Sequence, residues 1–538
     1  MRPEIIKTFL GVHTWTGLVA GLALFIAFYT GSITIFVHEI EAWESYTQEP
    51  LAHQDQDQAQ ELIDLFIAEH PEGSTAFRLY PSSKDHPGHS IYWFEQLEDK
   101  TFQSHKYLLS KEGELTGSAD NAHLADFIYR LHYTAGLPTS FGLYILGVIC
   151  VIYGIALITG LIIFLPNWLK DIFQVRLTQN KKRFWLDAHN VVGVISLPWH
   201  FMFAWSSAVL TIGIFFLAPF QVLVFDDDLL DRFGSELGFP EASEGSGETA
   251  KMMPVKDLLQ VSENHFPGQA LNQLRFTNYG DANASVSILG NVKSGTLTTN
   301  TNLILRARDG EIIDIIDPSK SGIGATIYNG LISLHFANFG GYLVKWVYFS
   351  LGLAGAFLFY SGNLLWIETR RKRRQTMQEG TAILLAKLTT GVCVGCMAAV
   401  SAAFVATRIF TNLPNSAELT ELVYYIVFLG SVLYAFFRPV APGGRDLLYC
   451  CALLSAFIPV VDTLFVPSNV WGSALSDHWP LVVVDLLAIA FAIIFLKLGL
   501  ALDARAKAGE TNSVWSEISQ GEEVVQVYAD LEKLPAGK

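Results

Sequence analysis

Runs of about 20 apolar residues, the length a helix needs to cross a hydrocarbon layer of about 30 Å, recur at 9–37, 141–165, 190–219, 342–367, 381–411, 420–438, 446–466 and 479–502. They predict eight transmembrane helices. Two long polar segments, 39–130 and 220–333, interrupt the series, and their patterning shifts from helical spacing to alternation. In the first, AQELIDLFIAEHPEG reads as a helix, and STAFRLYP, HSIYWFEQL and KYLLSKEGELTGS read as strands with a Gly-containing turn. The second keeps that order, with VKDLLQVSENHFPG as the helix and QALNQLRFT, ASVSILG and LILRARDGEIIDIIDP as strands and turn. The expected fold class is an all-α membrane bundle of eight helices carrying two small α+β modules. Its parts are a first span (1–38), a module (39–130), a second span (131–166), a loop (167–186), a third span (187–219), a second module (220–333) and a fourth span (334–368). A further four-helix region (381–502) and a polar tail (503–538) follow.

The first 380 residues read as a duplication. GVHTWTGLVAGLALFIAFYTG at Gly11 returns as DAHNVVGVISLPWHFMFAWSS from Asp187, so that His189 stands to Gly193 as His13 stands to Gly17, and Ser206-Ser207 fall at the offset of Thr30-Gly31. Leu131-His132-Tyr133 and Leu334-His335-Phe336 each precede an apolar span, and those spans carry Thr159-Gly160 and Ser361-Gly362 at nearly the same interval. Histidines kept in matching places suggest paired ligands inside a membrane; inherited packing residues are the plainer account of the same pattern.

Composition narrows the class. A chain 51% hydrophobic and 16% charged, with mean hydropathy +0.33, is too apolar for a soluble protein. Net charge −15, with no basic face outside two short loops, excludes a nucleic-acid partner. Those loops set the orientation. Lys170, Arg176, Lys181, Lys182 and Arg183 follow the second span, and Arg370, Arg371, Lys372, Arg373 and Arg374 follow the fourth, which places both on the cytoplasmic side. Both termini are then expected inside and both modules outside, with the first apolar run retained as an anchor because it is too long for a signal peptide. The five cysteines all fall in apolar spans, so no disulfide framework is expected.

On this map His13 and His189 lie at the cytoplasmic ends of outward-running helices, and His132 and His335 precede inward-running ones on the outer side. The two pairs are separated by roughly 20–30 Å of helix. Opposed imidazoles in an apolar bundle suit a low-spin haem, and Gly17, Gly21, Gly193 and Gly147 leave room for a flat ring. Without a C-x-x-C-H motif, such a haem is non-covalent and of b type. Zinc is the rival metal, but no third or fourth ligand stands close in sequence. His200 and His38 are unduplicated candidates for haem contact, His200 at mid-membrane and His38 beside Glu39 and Glu41. His53, His70, His86, His89, His105, His123 and His265 lie in polar segments, with His86 and His89 read as a solvated loop and His478 as an interface residue. Cys393 and Cys396 read as helix packing, and Asp462 and Asp485 as hydrogen-bonded acids within spans, with no chemistry assigned.

The His-x-x-x-Gly helix starts, the Leu-His pairs, Thr30-Gly31, Thr159-Gly160 and the basic stop ETRRKRR resemble the PepSY-associated transmembrane family of iron-regulated inner-membrane proteins, over about residues 1–380. The polar modules are similar to PepSY domains. The resemblance implies a four-helix core with two b haems, held by His13 with His189 and by His132 with His335, that passes electrons from the cytoplasmic side to a periplasmic ferric siderophore. This chain departs from shorter members by its last four spans, and no Gly-rich nucleotide fingerprint is present, so the expected donor is a membrane quinol or a separate reductase. The competing expectations are a haem-free protein whose modules bind peptides or restrain a protease, and a permease for iron, haem or siderophore.

Overall fold

The computed structural model describes residues 2–45, 54–82, 88–96, 102–110, 113–119, 123–168, 176, 180–224, 229, 244–291, 297, 300–317, 319–320, 322–372, 378–411, 413, 415–466, 471, 479–510 and 512–517. His53, His86, His478 and the tail from 518 onward lie outside these residues. In chain order the helices are α1 (Pro3–Thr34), α2 (Val37–Ser45), α3 (Gln56–Glu69), α4 (His123–Thr134), α5 (Thr139–Phe164), α6 (Lys181–Ile195) and α7 (Leu197–Leu223). After them come α8 (Val255–His265), α9 (Ile323–Phe336), α10 (Gly341–Thr369), α11 (Gly380–Phe410), α12 (Ser416–Phe437), α13 (Val440–Phe465) and α14 (Trp479–Lys507). The chain divides into two compact units, one of Met1–Thr47, Ala122–Ile212 and Tyr342–Lys538, the other of Gln48–Asn121 and Gly213–Gly341.

Among the described residues, eight helices are long and apolar enough to cross a membrane: α1, α5, α7, α10, α11, α12, α13 and α14. They match the eight predicted runs. The third differs in detail, because the run expected over 190–219 is two helices, with α6 stopping at Ile195 and α7 starting at Leu197. Pro198 explains the break: it donates no N–H and its ring clashes with the carbonyl four residues back. His189 therefore stands on α6, whereas His13 stands on the unbroken α1.

In α11 a π turn at Thr389–Val394 widens the helix by one residue. Small residues there let α12 approach: a Cβ on Gly391 would lie 2.9 Å from the Val432 Cα, and one on Gly395 would lie 2.7 Å from the Ser431 Cβ. Cys393 and Cys396 in this stretch are wholly buried with free thiols, in keeping with the packing role read from sequence. A core of Phe25, Tyr29, Trp43, Val400, Phe404, Tyr424 and Ile458 joins α1 and α2 to α11, α12 and α13.

The second unit holds β1 (Ala76–Tyr80), β2 (Ser90–Gln96), β3 (Phe102–Leu109), β4 (Leu115–Ala119), β5 (Ala270–Thr277), β6 (Ser285–Asn291), β7 (Asn300–Arg306) and β8 (Ile312–Ile316). Each polar segment holds a helix followed by a four-strand meander, where its patterning predicts a helix and an antiparallel set of strands closed by a Gly turn. What patterning does not reveal is that the two meanders share one antiparallel sheet, ordered β4-β3-β2-β1-β5-β6-β7-β8. The seam pairs like with like: Phe77 with Phe276, Arg78 with Arg275 and Leu79 with Leu274. Phe77 stacks on Phe276 with centroids 5.0 Å apart, and Leu62, Phe66 and Leu258 from α3 and α8 close over that face. The α3 start is a capping box in which Asp55 accepts from the amides of Asp57 and Gln58 while the Gln58 side chain accepts from the Asp55 amide. The predicted Gly turns fall at Gly113 and Gly310, both at positive φ.

Candidate functional site

His13 on α1 and His189 on α6 face each other with ring centroids 6.2 Å apart and planes inclined by 74°. The hydrogen bonds behind the rings fix which nitrogen points forward. His13 Nδ1 lies 2.9 Å from the Ala156 carbonyl, which can only accept, so Nδ1 carries the proton and Nε2 keeps its lone pair. His189 Nδ1 lies 3.2 Å from Ser361 Oγ, whose own proton goes to the Leu358 carbonyl at 3.0 Å, so His189 also donates through Nδ1. Two imidazoles sharing a metal at about 2.0–2.1 Å per nitrogen have centroids roughly 6 Å apart. The pair is thus spaced for a single metal between the rings, with backing hydrogen bonds of the kind that orient metal-bound histidine.

The donor set decides which metal site it resembles. Among the described residues no group of three or more His, Cys, Asp or Glu converges, which leaves zinc two ligands short. Two axial imidazoles suit a metal that brings its own equatorial donors in a macrocycle. Of the four glycines expected to leave room for a flat ring, Gly17 has nothing within 4 Å of an added Cβ, whereas a Cβ would lie 3.7 Å from Asn363 at Gly21, 3.3 Å from Leu358 at Gly193, and against Ile212 at Gly147, where the glycine serves close helix packing instead.

Structure also gives a reason for the Thr-Gly and Ser-Gly pairs. Thr159 Oγ1 bonds back to the carbonyls of Ile155 and Ala156, the second of which receives His13, while a Cβ on Gly160 would lie 2.9 Å from His13 Cε1. The same device seats His132: its Nδ1 donates to the Ala27 carbonyl at 2.8 Å, Thr30 bonds back to Ile26, and a Cβ on Gly31 would lie 2.5 Å from Nδ1. At the third copy a Cβ on Gly362 would lie 3.4 Å from His189 Cε1. A hydroxyl tilts the backbone, a carbonyl takes the ring N–H, and a missing side chain lets the ring approach. Gly31→Ala is therefore expected to destabilise by about 1–3 kcal/mol through overpacking, although alanine is the better helix former by about 1 kcal/mol. Gly154→Ala, on α5 with open space around its Cβ, is expected to stabilise. Thermal unfolding of the two variants checks the opposite signs.

The other predicted residues fall as follows. His132 lies on α4 in the first unit, and its ring stacks on Tyr129 at 6.4 Å. His335 lies on α9 in the second unit, 5.2 Å from the ring of Phe336. Each of these helices ends on an alanine with φ 53, Ala135 and Ala337, a left-handed conformation that costs a non-glycine residue about 1–2 kcal/mol. His200 is buried on α7, its Nδ1 hydrogen-bonded to the Tyr153 hydroxyl and its ring 5.6 Å from Phe28, while its Nε2 has no protein partner among the described residues. His38 is exposed and pairs with Glu41 at 3.0 Å. His89 departs from the solvated loop expected for it: it is buried, accepts from the Ser82 amide at 3.0 Å and donates to the Asp55 carbonyl at 2.6 Å, which ties its loop to the start of α3. His70 and His105 pack against Tyr107 and Trp93, respectively.

Sequence reading missed Arg408. Completely buried on α11, it donates from Nε to Asp462 on α13 at 2.6 Å, from its terminal nitrogens to the Trp43 and Glu44 carbonyls, and stacks 3.8 Å from the Trp43 ring. Trp43 Nε1 also donates to Asp462, at 2.7 Å. Glu44 in turn accepts from the amides of Leu124 and Ala125, capping α4, the helix that carries His132. Arg130 pairs with Glu421 and Tyr425 donates to the Gly136 carbonyl, so α12 also grips this region. The added spans thus position the helix that carries His132. The signal for this was a lone arginine in an apolar run.

Burial pushes the Glu44 carboxyl up to about 8, against the downward pull of the two amides and Arg408. A raised carboxyl holds its proton in the folded state over a range where the unfolded chain has lost it. Its contribution to stability therefore falls as pH climbs from about 4.5 to about 8. Glu44→Gln is expected to flatten that part of the profile in unfolding measurements across pH.

A family model described as the PepSY-associated TM region matches residues 10–369. An uncharacterized protein of Pseudomonas aeruginosa is 23% identical over 262 residues, which cover 46% of this chain and 64% of that relative. With the eight apolar helices, the match makes this a multi-pass membrane protein.

Proposed function

The chain belongs to the PepSY-associated TM region family, and from that premise we propose that it is a di-haem b electron-transfer protein of a bacterial inner membrane. Electrons enter from the cytoplasmic side or from the quinol pool and leave to a ferric siderophore outside. The observation that carries this reading is the facing of His13 and His189 at 6.2 Å, with both Nδ1 atoms engaged behind the rings. In this reading His132 and His335, which stand at matching places in the sequence, are the second ligand pair, and His132 carries the same backing by Nδ1 as His13.

A bound haem supplies a one-electron couple, shuttling between ferric and ferrous iron. The protein's part is to hold two imidazoles as neutral donors, to keep water from them with apolar helices, and to set the ring planes through Ala156, Ser361 and Ala27. Reduction of a ferric chelate releases the metal because hard oxygen donors hold the less charged Fe(II) more weakly.

An anionic chelate as acceptor is supported by the second unit, read as two PepSY-like modules. Arg78 and Arg275 stand opposite each other across the β1–β5 seam, an arrangement that costs energy without a counter-charge, and the buried Nε of Arg275 makes no hydrogen bond among the described residues. Aromatic rings flank them on the same face, with Arg78 5.0 Å from Phe94 and Tyr80 5.0 Å from Tyr92. Dithionite-reduced protein freed of excess reductant should be reoxidised on adding a ferric siderophore, with Fe(II) trapped by a chromogenic chelator in step. If the reduced spectrum persists unchanged, ferric-chelate reduction is excluded.

A further inference from the structure

A cavity in the first unit, lined by α1, α2, α10, α11, α13 and α14, has no part in the histidine sites. It encloses about 780 Å³ of empty space when its open mouth is counted. It lies at the ends of the spans away from the Arg370–Lys372 loop. Its walls are largely aromatic, with Phe36, Trp346, Phe349, Phe404, Trp479 and Phe491 around it.

Two polar features break the apolar lining. Glu39 is 8% exposed, its Oε1 accepts from Lys345 Nζ at 2.7 Å, and its buried Oε2 has no hydrogen-bond partner among the described residues. Ser401 and Ser455 form a hydroxyl pair at 3.0 Å in the same lining. An unpaired carboxylate oxygen in an apolar cavity is costly unless an occupant brings a donor. An acyl chain brings none. A flat ring with a hydroxyl brings both stacking surface and the missing donor.

We propose that this cavity is the head-group site of a lipid-soluble quinol, whose ring lies among the aromatic side chains and whose hydroxyl donates to Glu39 Oε2. Position adds to the chemistry. Ala27 and Gly31 of α1 receive the His132 ring, while Tyr29 and Ile33 of the same helix line the cavity, about 200° around the axis at about 100° per residue. One helix, about 10–12 Å across, separates the quinol ring from the outer imidazole. The cavity exists because the added spans close it, which gives them a second task beside anchoring α4. Use of the quinol as electron donor rests on the haem reading above; its binding does not.

The test is quenching of tryptophan fluorescence in the purified full chain, under anaerobic reducing conditions, by decylubiquinol and by a short-chain menaquinol, with Trp346 and Trp479 as lining reporters. The expected result is saturable quenching that is lost when the cavity is filled by Ala488→Phe or, independently, by Val484→Phe. Glu39→Gln should weaken binding by about tenfold, the loss of a bond to a charged acceptor. Size-exclusion elution matching the wild type establishes that the variants fold. Linear quenching that is equal in the wild type and both filled variants overturns the proposal, as does a co-purifying phospholipid that neither quinol displaces. Protein from haem-sufficient cells separates the two readings. Saturable quenching in a chain that never takes up haem leaves the quinol site standing and removes the haem reading, whereas an intact haem spectrum without saturable quenching does the reverse.

Discussion

Alanine in place of His13 is expected to remove about one of the two haems, and His189→Ala the same one. The rings face each other at 6.2 Å, so either substitution would take away one of the two imidazoles that would hold the same haem. The double variant should lose no more than either single one, because both act on one site and their effects cannot add. His38→Ala should keep the full complement, since that ring is exposed and engaged with Glu41. Pyridine haemochrome content per chain measures all four variants. Losses that add in the double variant would mean that the two histidines serve different haems.

Arg408→Leu is expected to cost about 3–5 kcal/mol of stability, the usual consequence of leaving a buried carboxylate without its cation. Arginine and Asp462 are both fully buried, and the guanidinium also holds the ends of α2 through the Trp43 and Glu44 carbonyls. Removing both charges in Arg408→Leu/Asp462→Leu should recover much of the loss, because a buried ion pair often contributes little over an apolar replacement. The arginine variant should also loosen α4 at its Glu44 cap and so lower occupancy at His132, while the His13–His189 site keeps its haem. Denaturant unfolding and haem content of the single and double variants check the pair. If stability in the single variant equals that of the wild type, the network holds nothing together.

Much of this architecture is legible in the residues because two strong periodicities carry it. Apolar runs mark all eight spans, and alternation marks the strands between them, since burial in lipid and burial on one face of a sheet each impose a repeat. The break at Pro198 was also visible, but a run of apolar residues across it read as one helix. The Thr-Gly and Ser-Gly pairs stood out by repetition, yet their use did not, because a carbonyl accepting from a histidine more than a hundred residues away leaves no local trace. The same limit hid the Arg408–Asp462 pair, whose members sit on different helices, and the β1–β5 seam, which only tertiary pairing creates. His89 departs from the expectation because a polar Pro-Gly loop resembles solvent-exposed chain even when one ring folds back onto the start of a helix.

Electron transfer by this chain requires two imidazoles that clasp one iron, and the reduced-minus-oxidised absorption spectrum of the purified chain, with haem and protein both quantified, tests that directly. The prediction is a red protein with a sharp Soret band, split visible bands on reduction and about two b haems per chain, all low-spin. A colourless preparation from haem-sufficient cells, or a high-spin spectrum from singly ligated iron, would contradict it.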